Sequence, residues 1–149
     1  MRAVIQRVDR ASVRINHYEI SSIPKGILIL LGVEKDDTEA DSDYILEKSI
    51  HLRIFEDDHD KMNRSLHDIQ GAMMVVSQFT LLGNCIKGRR PSFTAAEEPL
   101  KANQLYEYFV SKAREKVRHV ATGKFQEMMK IELVNDGPVT ILLDSRKIS

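Results

Sequence analysis

The chain has 149 residues, 42% of them hydrophobic and 30% charged, which suits one folded domain with a real core and excludes a chain that is disordered throughout. Its 22 Lys and Arg balance its 22 Asp and Glu, so it lacks the basic excess of a protein that grips long stretches of nucleic-acid backbone, and any RNA contact should be confined to a local patch. A single cysteine, Cys85, excludes an intrachain disulfide and a cysteine-rich zinc site.

The N-terminal segment carries Arg2 and Arg7 and no long apolar stretch, so it does not read as a secretory signal. Residues 1–8 are rich in β-branched side chains and 11–15 alternate apolar with polar ones; both read as strands. Ser21-Ser22-Ile23-Pro24-Lys25-Gly26 has turn chemistry. The apolar run 27–33 that follows reads as a strand buried on both faces and is too short to span a bilayer. A cytosolic location is the expectation.

Glu34-Lys35-Asp36-Asp37-Thr38 is a polar loop able to cap a helix, and the spacing of Tyr44, Ile45, Lys48 and Leu52 predicts that helix over 39–52. Arg53-Ile54-Phe55 reads as a short strand and 56–63 as a charged turn. Residues 71–79 form a buried strand whose polar end carries Ser77 and Gln78. Residues 83–99 form a loop long enough to suggest function. Leu105, Tyr108, Phe109, Lys112 and Ala113 trace a helix over 101–118. Strands at 129–134 and 139–143 then flank Asn135-Asp136-Gly137-Pro138, which reads as a tight reversal. Strands outnumber helices and the two helices are isolated interruptions, so we expect one α+β domain over 1–149 with a mostly antiparallel, barrel-like sheet.

No Gly-x-Ser-x-Gly elbow, Walker loop, dinucleotide fingerprint or His-Glu-x-x-His motif is present. Asp57-Asp58-His59-Asp60 resembles a ligand cluster, but it lacks the glycine of a calcium loop and reads better as a solvated turn. We therefore expect no metal and no cofactor. Ser77-Gln78-Phe79-Thr80 either caps backbone groups at a strand end or lines a cleft. Lys87-Gly88-Arg89-Arg90-Pro91-Ser92-Phe93 is either an ordinary exposed loop or a phosphate-contacting patch.

Taken in order, these segments resemble the D-aminoacyl-tRNA deacylase (D-tyrosyl-tRNA deacylase) family. The likeness rests on Ile5-Gln6-Arg7-Val8, Gly32-Val33-Glu34-Lys35-Asp36-Asp37, Arg53-Ile54-Phe55, Ser77-Gln78-Phe79-Thr80, Gly88-Arg89-Arg90-Pro91-Ser92-Phe93 and Asn135-Asp136-Gly137-Pro138-Val139-Thr140. It implies a homodimer with active sites at the subunit interface, acting on tRNA that carries a D-amino acid or glycine. Ser77, Gln78, Phe79 and Thr80 would line the catalytic wall. Gly137 and Pro138 would form a cis pair reaching in from the partner, with Arg7 holding that wedge and Ala102 and Met129 lining the adjoining pocket.

No histidine neighbours Thr80 in sequence, so main-chain groups and the 2′-hydroxyl of the tRNA are the favoured catalysts over a Thr80 nucleophile. The turn at 21–26 is less glycine-rich than the family pattern, and the few residues after the last strand predict no added domain. Two other classes remain: an RNA-binding scaffold without activity, and a general esterase with Thr80 as nucleophile.

Overall fold

A computed structural model describes residues 1–147; Ile148 and Ser149 of the short tail lie outside the described residues. Strand β1 (Arg2–Ile15) turns at Asn16 and His17 into β2 (Tyr18–Ile23), and β3 (Gly26–Gly32) follows after Pro24 and Lys25. Both successors lie antiparallel along one edge of β1, with Ala11 opposite Ile23 and Val8 opposite Gly26. Residues 1–8 and 11–15, expected as two strands, are therefore one. Tyr18–Ile23 is a strand the sequence does not announce, because its mostly exposed side chains lack the apolar alternation that marks one.

Helix α1 (Glu39–His51) begins at Thr38, whose backbone N–H bonds Asp41 in a reciprocal cap. Strand β4 (Phe55–Glu56) overlaps the short strand expected at 53–55 at Phe55, β5 (Met62–Arg64) begins inside the stretch expected as a charged turn, and the two pair into a small hairpin. Asp57 closes it by accepting from the Asn63 amide and from the N–H groups of His59 and Lys61, while Asp58 pairs with Arg64. These carboxylates hold a turn. A short helix α2 (Leu66–Ile69) with a Ser65 cap then leads into β6 (Ala72–Ser77).

Strand β6 runs parallel to β3, and β7 (Val120–Thr122) runs parallel to β6. The sheet is thus mixed, which corrects the expectation of a mostly antiparallel one; strand direction depends on the crossovers through α1 and through α3 (Pro99–Lys116), which local sequence does not encode. Ser21 Oγ donates to Thr122 O at 2.7 Å, so β7 reaches β2 and the sheet nearly closes into a barrel.

On the free edge of β1 lies β8 (Lys130–Asp144), one strand where two are expected. From Arg10 opposite Val134 to Gln6 opposite Thr140, β1 spans four residues while β8 spans six. Asn135-Asp136-Gly137-Pro138 is therefore a two-residue insertion within a continuing strand, not a reversal. An even insertion leaves the alternation of faces intact on both sides, which is why it reads locally like two strands joined by a turn.

The sheet is buried on both faces, as its central apolar runs require. Ile27, Ile29, Leu31, Met73 and Val75 pack against Ile45, Leu46, Ile50 of α1 and Leu105, Phe109, Val110 of α3. Leu28, Met74 and Val76 face a second core with Val8, Ala11, Val13 and Ala121 inside the barrel. Among the described residues no helix is long and apolar enough to cross a membrane.

Gly26 marks the tightest approach in the sheet, since a Cβ there would lie 1.8 Å from the Ala72 carbonyl oxygen. A backbone atom cannot yield as a side-chain tip can, so Gly26→Ala should cost about 3 kcal/mol or more, read as a fall in the urea midpoint.

Candidate active site

Strand β6 ends at Ser77, which sits opposite Leu31 of β3, and the Gln78 N–H extends the ladder by donating to Leu31 O at 2.8 Å. The chain then tightens into a 3₁₀ turn, Phe79–Leu82. Gly32 makes room for it, because a Cβ there would meet Leu82 Cδ2 at 2.7 Å and Gln78 O at 3.0 Å. Tyr106 of α3 holds β6 from the other side, its buried hydroxyl donating to Val75 O at 2.8 Å. Burial pushes that phenol well above its ordinary pKa, so it stays a donor.

The first hydrogen bond of the turn runs from Leu81 N to Gln78 O, and the next from Gly83 N to Thr80 O. The N–H groups of Phe79 and Thr80 precede these bonds and so have no partner within the turn. The Gln78 side-chain amide donates to Thr80 Oγ1 at 3.0 Å. Phe79 is 56% exposed and meets Phe93 edge-on, ring centroids 5.2 Å apart. The result is a short wall of outward N–H groups, an amide and a hydroxyl beside an exposed aromatic ring. Such a wall can hold a polar carbonyl against an apolar surface.

The second expected motif sits on β8. Asn135 Oδ1 accepts from Val139 N at 2.8 Å and its amide donates to Thr140 Oγ1 at 3.1 Å, which closes the insertion on itself. Gly137 adopts φ +128°, the Gly137–Pro138 peptide is cis, and both residues face outward. Arg7, opposite on β1 and only 4% exposed, braces the insertion from below. Its Nε donates to Asp136 O at 3.0 Å and its Nη1 to Ile54 O at 2.7 Å. The carboxylates of Asp136 and Glu56 lie 3.4 and 3.6 Å from the guanidinium. A Cβ on Gly137 would approach Arg7 Nη2 to 3.0 Å, so glycine also permits this close seat. The sequence does not single out Ile54, Glu56 and Asp136 as its partners; a lone arginine in the apolar run 3–8 is the signal that such partners exist.

Within one chain the two motifs stand apart. Ser77 is level with Leu31 and Ala3, whereas the insertion is level with residues 6–8 of β1 and lies three strands away. At about 3.3 Å per residue and 4.8 Å per strand, that is roughly 15–20 Å along the sheet. Ala102 and Met129 are also separated. Ala102 is buried in the helix-side core near the start of α3, while Met129 packs against the barrel-side core, its Sδ accepting from Lys124 N at 3.4 Å. Among the described residues no three His, Cys, Asp or Glu side chains are grouped to hold an ion.

Comparison with known proteins supplies context for this geometry. Residues 4–144 match the sequence model of the family described as D-Tyr-tRNA(Tyr) deacylase. A D-aminoacyl-tRNA deacylase of Syntrophus aciditrophicus (strain SB) is 60% identical over 148 residues, covering 99% of both chains. One from Clostridioides difficile (strain 630) is 57% identical over 147 residues, with the same coverage. A solved structure described as c-Myc DNA Unwinding Element Binding Protein is 39% identical and superposes with a TM-score of 0.92, covering 97% of this chain and 98% of that one. A probable eukaryotic D-amino acid tRNA deacylase, 17% identical, has a TM-score of 0.79 over 95% of this chain and 97% of its own and shares the fold.

Arg7→Met should leave the Ile54 and Asp136 carbonyls without donors and cost about 3 kcal/mol in urea unfolding, the half-exposed carboxylates adding little. Arg7→Lys should recover less than half of that, because one ammonium cannot reproduce the fork.

Proposed function

Because the chain belongs to the D-Tyr-tRNA(Tyr) deacylase family, we propose that it hydrolyses the ester joining a D-amino acid, or glycine, to the terminal ribose of tRNA. The observation that carries the mechanism is the state of Thr80. Its hydroxyl accepts from the Gln78 amide, and among the described residues no histidine or carboxylate hydrogen-bonds to it. A hydroxyl without a base is a poor nucleophile. The N–H groups of Phe79 and Thr80, without partners among the described residues, suit the oxyanion that forms when water attacks the ester carbonyl. An aminoacyl ester is already activated, so placing the water, helped by the neighbouring 2′-hydroxyl of the substrate, supplies most of what remains.

Chirality is read by exclusion in this proposal. Gly137 and Pro138 of a second subunit enter beside Phe79–Thr80 and occupy the space an L side chain needs, while a D side chain points away. Glycine passes, since a wall rarely rejects a smaller group. Two features support a shared site in a homodimer. The motifs are too far apart in the sheet of one chain to face one substrate, and β8 pairs only with β1 among the described residues, leaving its second edge open with Val134 and Leu142 exposed on it. Long open edges with apolar side chains are places where a second chain pairs or packs. Ala102 and Met129 then belong to the pocket beyond the wedge, and the cytosol is where such a substrate is found.

A second reading, nucleic-acid binding without turnover, draws on the 39%-identical solved relative, which is described as a DNA unwinding element binding protein. Deacylation assays with D-, L- and glycyl-tRNA separate the two: hydrolysis of the D and glycyl esters with the L ester spared is expected, and no turnover of any would favour binding alone. Thr80→Ala should lower kcat by about tenfold or less, whereas loss of a covalent nucleophile costs on the order of 10⁴–10⁶.

The shared site has its own test. Gly137→Val and Gln78→Ala should each be impaired alone, but mixed and reassembled they should recover about a quarter of wild-type activity. Half of randomly mixed dimers are hybrids, and each hybrid keeps one intact site. No recovery would place both motifs in one subunit.

A further inference from the structure

We propose that the loop between Asn84 and Ser92 is an arm that holds the phosphodiesters next to the scissile ester, so that the contact of this neutral protein with its RNA is concentrated there; the identity of the RNA rests on the deacylase reading. Asn84 and Ser92 clamp the loop with a reciprocal backbone pair, 2.7 and 2.9 Å, and the Asn84 side chain accepts from Ile86 N at 2.9 Å. The segment 83–96 contains Lys87, Arg89 and Arg90 and no acidic residue, in a chain whose total charge is zero. All three cations are exposed, and among the described residues none of them is in an ion pair. Of the nine other arginines, Arg2, Arg7, Arg14, Arg64 and Arg146 have acidic partners, and Arg10, Arg53, Arg114 and Arg118 are scattered along the chain rather than grouped in one loop.

The arm is also fixed to the candidate site. Phe93 follows the clamp directly and stacks edge-on against Phe79, while Gly83, before the clamp, has room for no more than the Phe93 ring, 3.0 Å from where its Cβ would be. Arg90 and Lys87 are three and six residues from Phe93, which places their backbones within roughly 10 and 20 Å of Phe93, itself against the Phe79 ring. Gly88 at the tip has φ +73° and nothing within 4 Å of where a Cβ would stand, so the tip stays clear of the barrel. A substrate whose ester occupies Phe79–Thr80 carries its nearest phosphodiesters across this span. Unpaired guanidinium forks suit phosphate oxygens and need break no existing pair to bind them.

The test uses the full chain and uncharged tRNA labelled for fluorescence anisotropy, alongside turnover of a D-aminoacyl ester of adenosine, which has no phosphodiester. Replacing Lys87, Arg89 and Arg90 together with glutamine should flatten the slope of log affinity against log salt by about 2 and leave turnover of the adenosine ester within twofold. Restoring charge with Arg89→Lys and Arg90→Lys, Lys87 unchanged, should recover the slope. An unchanged slope in the glutamine variant overturns the arm, and so does an equal loss on the adenosine ester, which would mean the loop serves the chemistry. Failure of the wild type to hydrolyse either ester counts against the deacylase reading, while the binding slope still reads the arm.

Discussion

A single buried guanidinium organises this molecule. Arg7 sits on the central strand with an apolar core beneath it, where an unpaired charge is expensive and must be met on every side. Its fork reaches the carbonyl of Ile54 after α1 and the carbonyl of Asp136 in the β8 insertion, which fixes three remote stretches of chain at one point. The insertion would otherwise be a mobile flap on an open edge. Braced by Arg7 and closed by Asn135, it is an outward projection whose tip is formed by Gly137 and Pro138.

The turn at Phe79–Leu82 follows a different logic. Its character comes from what a strand loses when it ends: Gln78 is the last residue to bond β3, and among the described residues the next two N–H groups have no hydrogen-bond partner. Gly32 allows the turn to press against β3, and Tyr106 pins β6 from the helix side, so these donors are held in place by packing on both flanks. Preorganised donors of this kind cost no reorganisation when charge develops nearby. In the proposed mechanism the side chains around them need only orient and exclude, so no base and nucleophile pair is required.

Much of this is legible in the residues and some is not. The doubly buried run 27–33 and the two long helices follow from apolar content and spacing, and the structure has them within two residues at each end. The register insertion reads as a reversal because two extra residues preserve the alternation, so Asn-Asp-Gly-Pro looks the same in a hairpin and in a bulge. Strand β2 escapes a sequence reading because it lies at the surface with little to bury, and the parallel pairings of β6 do so because strand direction is a property of connections. Arg7 stands out as odd in its strand, yet its partners come from positions 47 and 129 residues away and cannot be named from spacing.

The pairing of β1 also sets the order in which the molecule can assemble. One edge of β1 is satisfied at once by β2 and β3, which follow it through a two-residue turn and close only short loops. The other edge waits for β8, so that Arg2 meets Asp144 only when nearly the whole chain is present. A ribosome extending this chain therefore carries a half-paired strand through most of synthesis, an edge able to recruit a neighbour's strand. Asp9, Arg10 and Arg14 point outward along that edge, and their charge is a defence suited to the interval before the last strand arrives.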